Sequence, residues 1–333
     1  MSLNQNKLYI ILLVVMPVII ALVAMSVGRY TVTLADMYQL ALGNMADIKP
    51  VVKNIIINIR LPRVITAILV GGGLSLAGCA MQALFSNPIA TPDTIGVGSG
   101  ASFGAVLAII LFNNMIAVQA LAFIMGIIAA ILTIYISKLA RNSSIIMIVL
   151  AGMIVASYFA ALTSLVKTMA DSDTELPSIV YWLMGSMASS TFEKLRYGSA
   201  PIILGMSILF MLRWKMNALL LPEDEIRSLG LNVNRIRFSV LCCATLITAS
   251  SVAMCGQVGW VGLLIPHLCK FMVGYDNRKV IPLSLSIGAS FMLVVDTMAR
   301  SLVHTEIPLS IITALIGAPF FVFIMIKLAG KWR

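Results

Sequence analysis

The chain has 333 residues, of which 60% are apolar and 11% are charged, and its mean hydropathy is +1.02. This composition excludes an ordinary soluble protein, because such a chain would carry about twice that share of charged residues. The net charge of +10 does not indicate a nucleic-acid partner, because the basic residues are scattered at the ends of apolar runs and form no sustained basic tract. Membrane lipid is therefore the predicted surroundings of this chain.

Apolar runs of about 20 residues dominate the sequence, and each is long enough to cross a hydrocarbon layer as a helix. Strand-like alternation of polar and apolar residues is absent, so barrel strands are not predicted. The runs predict about ten spanning helices, at residues 8–28, 64–84, 95–112, 116–137, 144–167, 196–214, 238–255, 258–274, 281–303 and 308–328. The predicted fold class is an all-α integral membrane protein, with a single transmembrane domain over residues 1–333.

An even number of spans places both termini on the same side of the membrane. Most of the 23 Lys and Arg residues fall on that side, which predicts that it is the cytoplasm. The connection between the first two spans, residues 29–63, is an exception because it lies outside and is rich in basic residues. Its MYQLALG stretch predicts a short surface helix.

Glycines at every fourth position begin the third span. Gly96, Gly100 and Gly104 share one helix face, and small residues at this spacing let helix backbones approach closely in lipid. The GASFG stretch also matches the G-x-S-x-G pattern of hydrolases, which makes Ser102 a candidate nucleophile of an intramembrane hydrolase. The strand–turn–helix setting of that motif is missing, so a helix-packing role for Ser102 is the preferred interpretation.

The stretch LPEDEIRSLGLNVNRIRF, residues 221–238, is a polar island on the predicted cytoplasmic side. Pro222 and the three acids that follow it are typical of a helix N-terminus, where negative charge is favoured. Gly230 can end that helix, and Asn232 or Asn234 can cap a second short helix. The pattern predicts a helix–Gly–helix hairpin on the membrane surface; the alternative is a solvated loop.

Asp296 is the acidic residue that falls inside a predicted span. It precedes Arg300 by four residues, so the two share a helix face and can form an ion pair. The alternative is a proton-coupling carboxylate, because a charge inside a membrane span is costly and often functional. That alternative corresponds to an ion-coupled secondary transporter.

Motifs for nucleotide hydrolysis and metal chemistry are absent from the sequence. There is no GxxxxGK[ST] phosphate loop and no HExxH, and His267 and His304 are far apart. The five cysteines lie in apolar segments and form no C-x-x-C pair. We therefore expect no enzyme activity, metal site or cofactor in this chain.

Three stretches together resemble the FecCD-type permeases. They are IRLPRVITAILVGGGLSLAGCAMQALFSNPIATPDTIGVGSGASFG, GQVGWVGLLIPHLCKFMVGYDNRKVIP and DTMARSLVHTEIPLSIITALIGAPFFVFIM. Members of this family are the membrane subunits of ATP-driven importers for iron-siderophore complexes, haem and cobalamin. Two departures from the family pattern are Gln257, where a Pro is common, and Lys270, where an Arg is usual.

The resemblance implies the fold and the partners. The fold is the type II ABC importer bundle, with ten helices in a prokaryotic cytoplasmic membrane and both termini in the cytoplasm. A second permease copy, two ATP-binding subunits that carry ATP and Mg, and an extracytoplasmic solute-binding protein complete the importer, which moves a metal chelate or cobalamin by alternating access.

The resemblance also implies roles for individual residues. The cytoplasmic loop at residues 217–237 corresponds to the segment that couples the permease to the ATPase, and the coupling residues are Glu223, Asp224, Glu225, Arg227 and Gly230. Arginines in the LPR and D-x-x-x-R segments dock the binding protein in this family, and here they are Arg60, Arg63 and Arg300. The cytoplasmic gate corresponds to Asn87 and Ile89, with Ser143 and Ser144 at a second constriction.

Overall fold

The structure is a computed structural model that describes residues 9, 11–43, 49–112, 114–139 and 145–329. The described residues form helices and no strands. We number the helices α1 Ile11–Ser26, α2 Leu34–Ala41, α3 Pro50–Leu84, α4 Val97–Phe112, α5 Met115–Leu139, α6 Ile145–Met169, α7 Glu175–Leu183, α8 Phe192–Leu212, α9 Lys215–Ala218, α10 Glu223–Ser228, α11 Val233–Cys255, α12 Val261–Val273, α13 Asn277–Ser301 and α14 Leu309–Ala329. Helix α1 begins with a π-helical turn, and α3 contains one at Ile55–Arg60.

Each of the ten predicted runs overlaps one of these helices over most of its length, which confirms the all-α membrane fold. Within the part of the chain that the structure describes, six helices are long and apolar enough to cross a membrane: α3, α5, α6, α8, α11 and α13. Helices α1, α4, α12 and α14 are apolar but shorter over the residues described. The predicted surface helix in MYQLALG is present as α2, whose N-terminus is capped by Thr33.

Helices α3, α11 and α13 form the centre of the bundle. In the most apolar 18-residue stretch of each of these helices, 72–83% of the residues are buried inside the protein. In α5, α6 and α8 the corresponding share is only 28–33%. Helix α3 packs against α8, α11, α12 and α13. The outer helices therefore present most of their apolar surface outward, as expected for helices in contact with lipid or a second subunit.

Glycines allow the central backbones to approach each other. A Cβ added at Gly78 would overlap the carbonyl oxygen of Gly262 in α12, and one added at Gly71 would overlap that of Gly288 in α13. The predicted glycine face of α4 is also used, because Gly100 and Gly104 lie directly against the backbone of α5. Close packing at small residues is the usual way in which helices associate in lipid.

The two ends of the bundle are defined by contacts between α3 and α13, which run antiparallel. Arg63 of α3 contacts Asp296 of α13 at one end, and Cys79 contacts Asn277 towards the other. We call the first the outer end and the second the inner end. Asn217 donates a hydrogen bond to Asp276, so the polar segment at residues 215–235 lies at the inner end, opposite the arginines.

Candidate functional site

Helix α10 carries the predicted coupling residues on an exposed surface at the inner end. Glu223, Asp224, Glu225 and Arg227 are all exposed, and the helix is anchored by the buried side chain of Ile226. Acidic side chains in the first turn are favourable at the positive end of the helix dipole. The predicted helix is therefore present, and its charged side chains are free of the core.

Gly230 ends this helix in the left-handed conformation, with a φ of +72°. The amide of Leu231 donates a hydrogen bond to the carbonyl of Ile226, and the amide of Gly230 donates one to Arg227. These bonds satisfy carbonyls at the C-terminus of α10 and form a Schellman-type turn. Nothing lies within 4 Å of a Cβ added at Gly230, so the backbone conformation and not lack of space explains this glycine.

The second half of the predicted hairpin is wrong. Asn232 caps the following helix as predicted, and its side chain accepts a hydrogen bond from the amide of Arg235 at 3.0 Å. That helix is not a short surface helix, because it is the start of the span α11, which begins at Val233. No Gly or Pro occurs between Val233 and Cys255, so no residue stops the helix before the membrane.

The polar segment at residues 215–235 is fixed near its start to the N-terminus of α13. The Asn217 amide group donates to Asp276 at 2.8 Å, and its oxygen accepts from the amide of Asn277 at 2.8 Å. The hydrogen bond from Asn217 holds the pKa of the Asp276 carboxyl below its usual range. The segment that leads into α10 is thus tied by hydrogen bonds to the start of α13.

The predicted gate residues Asn87 and Ile89 lie in the turn that follows α3 at the inner end. The Asn87 side-chain oxygen accepts a hydrogen bond from the amide of Ile89 at 3.0 Å, and the Ile89 side chain is exposed. Ser143 and Ser144 lie outside the described residues. The assignment of these four residues to a gate stays a prediction.

Arg63 lies at the centre of a buried charge cluster at the outer end. Its Nε donates to Asp296 at 2.7 Å, and its two Nη atoms donate to the two oxygens of Glu306 at 2.8 and 2.9 Å. Arg300 Nε lies 3.5 Å from the other oxygen of Asp296. The ion pair predicted between Asp296 and Arg300 is present, and Arg63 is a nearer partner of the same carboxylate.

Arg60 and Arg300 also bind the C-terminal end of α1. Arg60 donates to the carbonyls of Met25, Ser26 and Tyr30, and Arg300 donates to that of Ala24. Cations are favourable at this end of a helix because its last carbonyls are otherwise unpaired.

The three arginines predicted to dock a binding protein are therefore buried, and each already binds carbonyl or carboxylate groups of this chain. Arg60, Arg63 and Arg300 are each less than 10% exposed. Their docking role stays a prediction, and the structure adds a role in holding α1, α3 and α13 together. Sequence analysis did not single out Glu306, although it is the only acidic residue between α13 and α14 at an end rich in basic residues. The excess of basic over acidic residues at this end was the signal that could have pointed to Glu306.

Ser102 is buried in α4 and accepts a hydrogen bond from the side-chain amide of Gln257 at 2.7 Å. This contact supports the packing interpretation.

Gln257 and Lys270 are the two departures from the family pattern, and Lys270 also contacts another helix. Its ammonium group donates a hydrogen bond to Gln82 of α3 at 2.7 Å. Among the described residues, no group of three or more His, Cys, Asp or Glu side chains could hold a metal ion.

Comparison with protein families gives one match over most of the chain, since residues 13–327 match the model of the FecCD transport family. Among curated relatives, the molybdate import permease MolB of Haemophilus influenzae is 40% identical over 313 residues, which cover 93% of each chain. An iron chelatin permease of Helicobacter pylori is 35% identical over 83% of each chain. The cobalamin import permease BtuC of Halobacterium salinarum is 37% identical over 80% of this chain and 72% of its own.

Solved structures share the same architecture. One, described as an inward-facing conformation of a metal-chelate type ABC transporter, superposes with a TM-score of 0.87 and 38% identity over 97% of this chain and 99% of its own. PsaBC from Streptococcus pneumoniae, in complex with Fab, has a TM-score of 0.58 over 86% of this chain and 95% of its own. At 20% identity, the second match shows the fold alone.

Proposed function

Because this chain belongs to the FecCD transport family and is a permease subunit of an ABC importer, we propose that two copies pair around one translocation pathway. Two separate ATP-binding subunits bind at the inner end, and an extracytoplasmic solute-binding protein docks at the outer end. Both termini are then cytoplasmic, in a prokaryotic inner membrane. The pathway alternates between the two sides, with the turn at Asn87 and Ile89 as its inner gate.

The observation that carries this proposal is the exposed surface formed by α10 and Gly230. A chain without a phosphate-binding loop needs its energy from another polypeptide, which would hold ATP and Mg. Helix α10 offers exposed acidic and basic side chains at one end of the bundle, on a support tied to α13. This arrangement suits a docking surface for an ATPase.

The proposed cargo is a metal ion in complexed form. The relatives are named for molybdate, iron chelatin, cobalamin, siderophore and Fe(3+)-citrate, and each compound surrounds a metal with a shell of ligands. A permease that makes few specific contacts can pass such different shells. We therefore assign the choice among them to the binding protein.

An ion-coupled secondary transporter is the less favoured function. That mechanism needs a carboxylate that can gain and lose a proton or a cation during transport. Asp296 is buried and engaged by Arg63 at 2.7 Å, so its negative charge is already balanced.

Reconstitution of this permease with its ATPase and its binding protein tests the proposal. The binding protein is first offered molybdate, ferric siderophores, ferric citrate, haem and cobalamin, and the captured compound then serves as the transport substrate in proteoliposomes. Uptake should require ATP and stop with a hydrolysis-dead ATPase. Uptake driven by a proton or sodium gradient without ATP would reject the proposal and favour the secondary transporter.

A further inference from the structure

Glu306 covers the charged end of Arg63 at the outer surface. Both Nη atoms of Arg63 donate to this one carboxylate, at 2.8 and 2.9 Å. The Glu306 side chain is 23% exposed, whereas that of Arg63 is 6% exposed. Glu306 is therefore the member of the pair that solvent or a partner protein can reach.

Arg63 would keep its orientation if Glu306 moved away. Its Nε is held by Asp296 at 2.7 Å, and that carboxylate is itself buried. The two Nη atoms would then form a preoriented fork that faces outward, which is the geometry that binds a carboxylate through two parallel hydrogen bonds. The two carboxylates of this cluster pair with Arg63 and Arg300. Arg60 adds a third cation beside Arg300, and the hydrogen bonds that it donates go to backbone carbonyls. Basic side chains therefore outnumber acidic ones here, which also favours a further anion.

The connection that carries Glu306 is tied to α7. Within it, the amide of Ile307 donates to Ala299 at 3.0 Å, and after it the amide of Leu309 donates to the carbonyl of Gly185 at 2.9 Å. Ser310 donates to Met184 at 3.2 Å. The position of Glu306 is thus linked through a short stretch of backbone to the C-terminal end of α7.

We propose that Glu306 masks a docking site for an acidic protein partner. A carboxylate of the partner replaces Glu306 on the fork of Arg63, and the released Glu306 loosens residues 302–310 from α7. Glu306 is a positioning residue in this scheme, because it acts through Arg63 and does not touch cargo. This inference rests on the proposed function in one respect, namely that the acidic partner is the solute-binding protein.

Docking affinity distinguishes masking from a purely structural role. The assembled transporter in lipid nanodiscs is titrated with its binding protein, for the wild type and for Glu306→Gln. The Gln variant keeps the shape of the side chain but lacks the competing charge, so binding should become about tenfold tighter, as for the loss of one competing charge pair. Glu306→Asp keeps the competing carboxylate and should bind as the wild type does.

Asp173→Asn is the matched control, because it removes an exposed carboxylate from the connection before α7 and should leave the affinity unchanged. Unchanged or weaker docking by Glu306→Gln would overturn the masking proposal. Tighter docking by Asp173→Asn to the same extent would also overturn it, since the effect would then reflect net charge.

Hydrogen exchange of the permease alone tests the second step without any partner. In Glu306→Gln, the amides of Ile307, Leu309 and Ser310 should exchange faster than in the wild type, while those in the centre of α3 stay unchanged. Equal exchange would reject the link to α7. If the exchange changes as expected but no binding protein docks on the wild type, the partner assignment in the proposed function fails, whereas the link from the Arg63–Glu306 ion pair to α7 stands.

Discussion

Arg237 in α11 donates a hydrogen bond to Glu223 at the start of α10, with Nη1 and Oε1 2.5 Å apart. The contact joins a membrane span directly to the exposed surface of α10, where we propose that the ATPase docks, across the turn at Gly230. A force on α10 would therefore reach α11 through a side-chain contact as well as through the backbone.

Charge reversal at this pair should weaken coupling. We expect Glu223→Arg or Arg237→Glu alone to lower ATP-driven uptake about fivefold, because the pair is partly exposed and such pairs contribute about 1 kcal/mol at most. The double reversal should recover part of the loss. Uptake and ATP hydrolysis are measured in proteoliposomes, with Arg196→Glu at the outer end of α8 as the control. Full uptake in both single variants would contradict the role of this contact.

Replacing Gly230 should uncouple hydrolysis from transport. Valine at a φ of +72° costs about 1–2 kcal/mol in a left-handed residue, and the turn is expected to open. Gly43 is a matched control, since it has a φ of +79° and open space around it but lies after α2. Gly230→Val should retain ATP hydrolysis and lose uptake, whereas Gly43→Val should retain both. Equal uptake in the two variants would remove Gly230 from the coupling surface.

Neutralising Asp296 should destabilise the bundle. Asp296→Asn leaves Arg63 and Arg300 with one carboxylate, and loss of one partner from a buried ion pair typically costs about 3–5 kcal/mol. Thermal unfolding in detergent is the measurement, with Asp173→Asn as the exposed control. If Asp296→Asn instead unfolds like the wild type but loses transport, the carboxylate has a transport role and the secondary-transporter alternative gains support.

Adding one methyl group at Gly78 should separate α3 from α12. The new Cβ would overlap a backbone oxygen that cannot rotate away, and overpacking of this kind costs about 1–3 kcal/mol. Gly259→Ala is the control, because nothing lies within 4 Å of its added Cβ. The melting temperature should fall for Gly78→Ala and stay for Gly259→Ala; equal values would show that the helices can shift without cost.

Ser102→Ala should leave uptake close to that of the wild type. The change removes the acceptor of the Gln257 side chain and is expected to cost about 1 kcal/mol, the usual net value of a hydrogen bond. Uptake and thermal stability are measured on the same preparation. Complete loss of function with normal stability would revive the hydrolase interpretation.

Hydropathy predicted the existence of the ten membrane helices but not where each begins. Helix α3 starts at Pro50 and not at residue 64, because helical structure continues beyond the apolar run as a π turn. Helix α11 likewise starts at Val233, five residues before its predicted span. Hydropathy reports contact with lipid, whereas a helix end is set by caps and hydrogen bonds.

The candidate site was predictable where its signals are local. The acids after Pro222 predicted α10, and Gly230 and Asn232 predicted the turn and the cap. The bond between Arg63 and Glu306 joins residues 243 positions apart, and no periodicity connects them. Such a contact depends on how α3 and α13 pack, which a single sequence does not specify.

Helix α12 has only 13 residues, so it spans about 20 Å of a hydrocarbon layer about 30 Å thick. Residues 256–260, which precede this helix, are not helical, and their peptide groups would need neighbouring groups to satisfy them inside the hydrocarbon layer. A segment this short is a poor substrate for insertion as an independent span. We therefore expect α12 to enter the bilayer only after α3, because the close backbone contact between Gly78 and Gly262 gives α12 the packing that its own length does not provide.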